Sequence, residues 1–133
     1  MPKTTLDAPE VRALLDQPNY ATVSTFNEDG TILTAVIWFG VEDGKLLLNS
    51  AKGRKWPGNL DRDPRTTVAI INGENPYEYV EVRGRVVHTT DEGAGDLIDA
   101  LSRKYTGADY AASTDDRITY VVEPELVRHR PAH

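Results

Sequence analysis

Thr31 to Arg65 reads TILTAVIWFGVEDGKLLLNSAKGRKWPGNLDRDPR. Its first part, Thr31 to Phe39, is rich in β-branched and aromatic residues and predicts a strand. Ile32, Val36 and Trp38 make one face mostly apolar, and Leu33, Ala35, Ile37 and Phe39 make the other face apolar as well. A strand apolar on both faces is buried on both faces. In a small antiparallel protein that means a barrel interior on one side and a helix, a ligand or a second subunit on the other. Gly40 to Gly44 ends in Asp-Gly and turns the chain, and Lys45 to Ser50 returns as a strand. Gly53 gives a tight turn, Pro57 suits the first turn of a short helix, and Pro64 stops that helix at Asp63.

The same stretch carries a concentration of positive charge. The chain of 133 residues is acidic, with 15 Lys and Arg against 21 Asp and Glu and a net charge of −6. Five of those 15 cations, Lys52, Arg54, Lys55, Arg62 and Arg65, fall within residues 50–65. Strand end, glycine turn, clustered cations and helix N-terminus together describe an anion site, where backbone N–H groups and the helix dipole assist the side-chain charges. One short basic stretch in an acidic chain suits a small phosphate-bearing ligand and argues against nucleic acid, which needs a basic face.

Outward from this centre the pattern stays antiparallel. Asp7 is placed to cap a first helix with Val11, Leu14 and Leu15 as its apolar stripe. Tyr20 to Phe26 predicts a strand, and Asn27 to Gly30 a hairpin turn into Thr31. Thr66 to Asn72 predicts a strand broken at Gly73 to Pro76. Tyr77 to Thr90 predicts a long one, with Tyr77, Tyr79, Glu81 and Arg83 on one face and Val80 and Val82 on the other. Gly84 within it marks a bulge or bend. Asp91 is placed to cap a helix reaching about Tyr105, with Leu97, Ile98 and Leu101 as its buried stripe. Arg117 to Val122 predicts the last strand, and the proline-bearing tail after Glu123 reads as extended or loose. About six strands and two or three short helices make an α+β protein built on a small antiparallel barrel. Length predicts one domain over 1–133, with its core at about 7–127.

The chemistry available to the side chains is limited. There is no cysteine, so thiol nucleophiles and disulfides are excluded, which fits a reducing, cytoplasmic setting. No apolar run approaches the roughly 20 residues of a membrane span. His88, His129 and His133 lack metal-ligand spacing, so no metal site is expected. No serine stands in a nucleophile elbow, and no catalytic side chain is assigned. An anion site plus aromatic residues, with little acid–base equipment, fits an enzyme whose chemistry belongs to a bound cofactor. Trp38 and the Tyr77/Tyr79 face are candidates to stack on a flat ring.

The motifs S-x-x-G-R (Ser50, Gly53, Arg54), N-L-x-R-D-P-R (from Asn59) and N-P-Y-x-Y-V-E-V-R-G-R-V (from Asn75) resemble the pyridoxamine-phosphate-oxidase-like family, the FMN-binding split β-barrel. The later D-x-L-x-R-K-Y-T-G, Asp99 to Gly107, is similar to its deazaflavin branch, the coenzyme F-420-dependent oxidoreductases of the B type. The resemblance covers about residues 7 to 127. It implies a six-stranded split barrel and a homodimer with the cofactor at the subunit interface. It places the cofactor phosphate at Ser50, Lys52, Arg54 and Lys55, with Asn59 opening the short helix. It puts the ring system along Val36 and Trp38, with Tyr77 and Tyr79 as candidates from the second subunit. The implied activity is hydride delivery from reduced deazaflavin to an electron-poor unsaturated small molecule. The alternatives are an FMN oxidoreductase of the same class or a non-catalytic flavin or F-420 carrier. Five clustered cations favour the anionic tail of F-420 over the single phosphate of FMN. One departure is present: the family places lysine two residues after the arginine, and here Lys55 stands one position early with Trp56 in its place. Either Lys55 reaches the phosphate from a shifted backbone or the site is altered.

Overall fold

A computed structural model describes residues 1–132. His133, one of the three histidines considered above, lies outside the described residues. The described residues form eight strands and three helices in the order β1 (Lys3–Thr4), α1 (Pro9–Leu15), β2 (Ala21–Phe26), β3 (Ile32–Ile37), β4 (Phe39–Glu42), β5 (Lys45–Ala51), α2 (Lys55–Arg62), β6 (Arg65–Ile71), β7 (Tyr79–Thr90), α3 (Ala94–Thr106) and β8 (Arg117–Arg130). The strands make one antiparallel sheet in the order β3-β2-β6-β7-β8-β5-β4, with β1 added to β8. Its two outer strands, β3 and β4, are consecutive in sequence and joined only through Trp38. A one-residue link cannot span a flat sheet of seven strands, because each strand adds roughly 4.8 Å of width. The sheet therefore curls until its edges meet, which is the split-barrel architecture of the α+β class.

The six expected strands become eight for two local reasons. The run Thr31 to Phe39 is interrupted at Trp38, so that β3 pairs with β2 while β4 pairs with β5. A two-residue strand at the N-terminus also pairs with β8, Lys3 opposite Arg128 and Thr4 opposite Val127. The tail expected to be loose is strand: β8 continues through Pro124 to Arg130. Proline lacks an N–H and belongs where no ladder bond is needed. Pro124 meets this condition because β5 leaves β8 at Val122 and β1 joins only at Val127. The bulge expected at Gly84 is present as a register shift between Arg83 and Gly84, opposite Pro124. A Cβ at Gly84 would lie 2.3 Å from the Glu123 carbonyl oxygen, so the backbones approach too closely for any other residue.

One hydrophobic core fills the curl. Val23, Phe39, Leu46, Leu48, Val68, Ile70, Val80, Val82 and Val122 point into it, and α1 covers one end with Val11, Leu14 and Leu15. Asp7 does not cap α1; the N-cap residue is Ala8, with no side-chain cap. Asp91 likewise does not cap α3, whose N-cap is Gly93 in the left-handed region; Asp91 pairs with Lys52 instead. The outer face of β3 differs from expectation in this protomer. Leu33, Ala35 and Ile37 pack on the core, but Ile32 and Val36 are 64 % and 69 % exposed.

Candidate functional site

A pocket of about 200 Å³ opens where the two sheet edges meet, between β3 to β5, the start of α2, and α3 with its following loop. One end is aromatic and apolar, formed by Tyr20, Val36, Ile37 and Trp38, with Ile98 and Leu101 of α3 behind them. The other end is polar and cationic, formed by Asn49, Ser50, Arg54, Tyr110 and Arg117, and Trp56 also lines the pocket.

The aromatic end is held rigid from behind. Trp38 stacks on Tyr105 at 5.3 Å and 15°, and Tyr20 tilts against the same ring at 5.6 Å. Tyr105 is fixed in turn, because its hydroxyl donates to the Asn19 carbonyl at 2.5 Å. Burial pushes the Tyr105 phenol up to about 12, so it stays neutral and donating. Its neighbour Lys104 donates to the Leu15 carbonyl at 2.9 Å, closing the last turn of α1, and lies 5.5 Å from the Phe39 ring. Burial lowers the Lys104 ammonium below its ordinary range. The Lys-Tyr pair singled out in the sequence thus anchors α3 and the ring that backs Trp38.

The cationic end is built on β5 and β8. Their register sets Ala51 opposite Arg117 and Asn49 opposite Thr119. The Asn49 amide donates to the Ala94 carbonyl at 3.0 Å and to Thr119 Oγ1 at 3.2 Å, which orients its Oδ1 to accept from Arg117 Nε at 2.9 Å. The Arg117 guanidinium lies 5.2 Å from the Tyr110 ring centre, and Tyr110 is itself placed by its N–H donating to Asp99 Oδ1. Arg117 is only 5 % exposed and, among the described residues, forms no salt bridge. Burial lowers its pKa; Tyr110 and the Asp116 carboxylate oppose that fall, and the like charge of Arg54 adds to it. Ser50, set opposite Ile118 and so on the other face of the sheet from Arg117, is 1 % exposed, and its Oγ has no hydrogen-bond partner among the described residues.

Of the residues singled out from the sequence, Val36, Trp38, Ser50 and Arg54 meet in this pocket. The others lie elsewhere in the protomer. Lys52 points to Asp91, Nζ to Oδ2 3.0 Å, across an exposed ion pair that lowers the Asp91 carboxyl. Lys55 lies in a separate hollow with Asn27, Glu28, Asp29 and Arg62. Asn59 does not open α2 but sits within it, buried, donating to Thr25 Oγ1 at 3.1 Å and Asn27 Oδ1 at 3.0 Å. Tyr77 is exposed in the turn before β7, and Tyr79 starts that strand opposite Ile71 and Arg130. Arg83 on the same face pairs with Glu81. Trp56, the residue that replaces the family lysine, is buried against Tyr120 and lines the pocket. Tyr20, Asn49, Tyr110 and Arg117 were missed. They come from three distant parts of the chain, and only the fold brings them together.

Residues 8–130 match the sequence pattern of the family described as pyridoxamine 5'-phosphate oxidase. The chain belongs to this family. No curated protein matches it. Among solved structures it is similar to an F420 reductase, at 27 % identity and a TM-score of 0.80, over 96 % of this chain and 98 % of that one. Two others share the fold. They are the conserved hypothetical protein Rv2991 from Mycobacterium tuberculosis (17 % identity, TM-score 0.77, 98 % and 89 % covered) and the General Stress Protein 26 from Bacillus anthracis (15 %, 0.72, 93 % of each). Among the described residues of this family member, no helix is long and apolar enough to cross a membrane, and no group of three or more His, Asp and Glu gathers to hold a metal.

Proposed function

We propose that this protein is a coenzyme F-420-dependent oxidoreductase that uses the deazaflavin to reduce an electron-poor unsaturated small molecule. The observation that carries the reading is the two-ended pocket: a rigid aromatic wall at Trp38 and, beside it, two arginines and an orphaned buried hydroxyl. A flat ring system joined to a phosphate needs both ends. The likeness to an F420 reductase over nearly the full length of both chains supports the deazaflavin. When bound, the cofactor supplies hydride; this chain supplies binding, orientation and charge. Trp38, held by Tyr105, offers a face for the ring, while Arg54 and Ser50 offer donors to the phosphate. The pocket is lined by no Asp, Glu, His or Lys side chain, so water is the expected proton source.

The active form is a homodimer. The pocket of about 200 Å³ is below the roughly 300–1,000 Å³ of sites that enclose a whole ligand. Val36 lines its mouth and is also 69 % exposed, so the pocket opens onto the uncovered outer face of β3. A second copy laid on that face completes the enclosure, with Tyr77 and Tyr79 as its candidate contributions.

FMN is the second reading, and one observation favours it. The five clustered cations do not converge: Lys52 pairs with Asp91, Arg65 with Asp63, and Lys55 and Arg62 line a separate hollow, which leaves Arg54 of that group at the pocket. A single terminal phosphate suits such a site. Titration with F-420 and FMN side by side, read by tryptophan fluorescence, decides between them. Tighter binding of F-420 is expected; FMN that binds more tightly or co-purifies transfers the function to flavin, and binding of neither rejects both.

A further inference from the structure

We infer that Asn72, just after β6, is a site of slow spontaneous deamidation, restrained in the folded chain by Asn19, and that the carboxylate it forms releases the loop carrying Tyr77. Asn72-Gly73 is the one Asn-Gly pair in the sequence. Glycine has no side chain to hinder its nitrogen from reaching the amide carbon before it. In this reaction the Gly73 nitrogen gives up its proton to solvent and bonds to Asn72 Cγ. The Cγ–Nδ2 bond breaks and ammonia leaves. Water then opens the cyclic imide at either carbonyl, giving aspartate or isoaspartate with one carboxylate. No oxidant, cofactor or second protein takes part, so the reaction proceeds whichever ligand the pocket holds.

The folded loop ties up both reacting groups. Gly73 N–H donates to Asn19 Oδ1 at 3.0 Å, and Asn19 is itself buried and fixed, its amide donating to the Leu14 carbonyl at 2.8 Å. The nitrogen that must lose its proton thus holds it in a hydrogen bond. Asn72 Oδ1 accepts from the Glu74 and Asn75 N–H groups at 2.9 and 3.3 Å. Nδ2, the group that must leave, donates to Glu78 Oε1 at 2.8 Å. Reaction therefore waits on local opening of the loop. The product cannot rebuild these contacts. An aspartate in this place puts a carboxylate oxygen where Nδ2 donated, against a Glu78 carboxylate that His129 already holds at 2.8 Å. Two like charges then meet where a donor met an acceptor. Isoaspartate also lengthens the main chain by a methylene, next to the 3.0 Å bond from the Asn72 N–H to the Glu78 carbonyl. Either product loosens the loop and with it Tyr77, the candidate contact of a second copy.

The full chain is incubated at fixed pH, native and in urea, and peptide mapping by mass spectrometry follows the amide-to-acid mass gain at Asn72. In urea the gain should outpace that at the other asparagines, and in the native protein it should be present but slower. Asn19→Ala should speed the native reaction about two- to tenfold, the range for one net hydrogen bond. Thr66→Val removes a hydrogen bond away from the loop, from Thr66 Oγ1 to the Ser24 carbonyl at 2.8 Å, and should leave the rate unchanged. The pair separates release of Gly73 from a general loss of stability. Asn72→Asp, which mimics the product, should lower the Tm. Combined with Glu78→Gln it should lose less than the two single losses together, because the repulsion is gone. If Asn19→Ala does not fold, the native and urea rates of the wild type and the Tm of Asn72→Asp still decide. Equal rates in the native and unfolded wild type, no gain at Asn72 in either, a folded Asn19→Ala no faster than Thr66→Val, or an Asn72→Asp variant as stable as the wild type overturns the inference.

Discussion

The Tyr105 hydroxyl and the missing side chain of Gly84 each do work that no neighbour can replace. Tyr105 ties α3 to Asn19 and backs Trp38, so Tyr105→Phe keeps the ring stack and loses one partly buried hydrogen bond. It should destabilise by about 1 kcal/mol in urea denaturation and leave cofactor affinity nearly intact. Tyr105→Ala should instead cost about 3–5 kcal/mol by removing a large aromatic and weaken cofactor binding by freeing Trp38. Gly84→Ala has no tolerable outcome, because a Cβ 2.3 Å from the Glu123 carbonyl forces β7 and β8 apart. A loss of about 3 kcal/mol or more is expected, the upper range for overpacking. Both residues stand in motifs visible in the sequence. Arg117 stands in none, and nothing local distinguishes it from the chain's other arginines. Its meaning comes from burial beside Asn49 and Tyr110, which the chain order does not reveal.

At the scale of elements, β8 organises the molecule by pairing with β7, β5 and β1 along its length. Its last residues also hold the loop that carries Tyr77. His129 Nε2 lies 2.8 Å from Glu78 Oε2, and the Asn72 amide donates to Glu78 Oε1 at 2.8 Å. These contacts, His129 first, hold the Glu78 carboxyl below its ordinary range. A carboxyl lowered by folding stabilises the protein at pH above its unfolded pKa, about 4.3 for glutamate, and that stability is lost as pH falls through the folded value. Wild-type protein should therefore exceed Glu78→Gln in unfolding free energy by about 1 kcal/mol near neutrality, and the difference should vanish in acid. Equal curves at neutral pH would show that the loop is held by its backbone bonds alone. The periodicity of Tyr79 to Arg83 and the apolar run from Arg117 predict these strands from sequence. The continuation of β8 past Pro124 is not predictable that way, because a proline is tolerated only when the neighbouring strand is known to be absent at its N side.

For the molecule as a whole, the exposed Ile32 and Val36 on β3 argue for a second copy, and obligate interfaces of this kind bury more than about 2,000 Å². Light scattering at micromolar concentration should give twice the chain mass. Ile32→Asp, on the same face but outside the pocket, should give monomers with weakened F-420 or FMN binding. A monomeric wild type would overturn the proposed dimer. Alternation, glycine turns and proline stops depend on a few neighbouring residues, and they determined the antiparallel strands, the short α2 and the bulge, while the resemblance to the split-barrel family rested on the longer motifs around Ser50, Asn59, Asn75 and Asp99. They also led to the two-sided apolar character of β3, whose outer half one protomer leaves uncovered. Closure of the sheet, by contrast, depends on β3 and β4 meeting through Trp38, and the pocket exists because that closure brings the β3 edge near β5 and β8, which are themselves paired in the sheet. Five cations close in sequence project in different directions from a turn, a helix and a strand end, while Arg54 and Arg117, far apart in sequence, line the same pocket. Charge clustering along the chain reports local composition; charge convergence at a site is set by register and burial, and these only the tertiary structure decided.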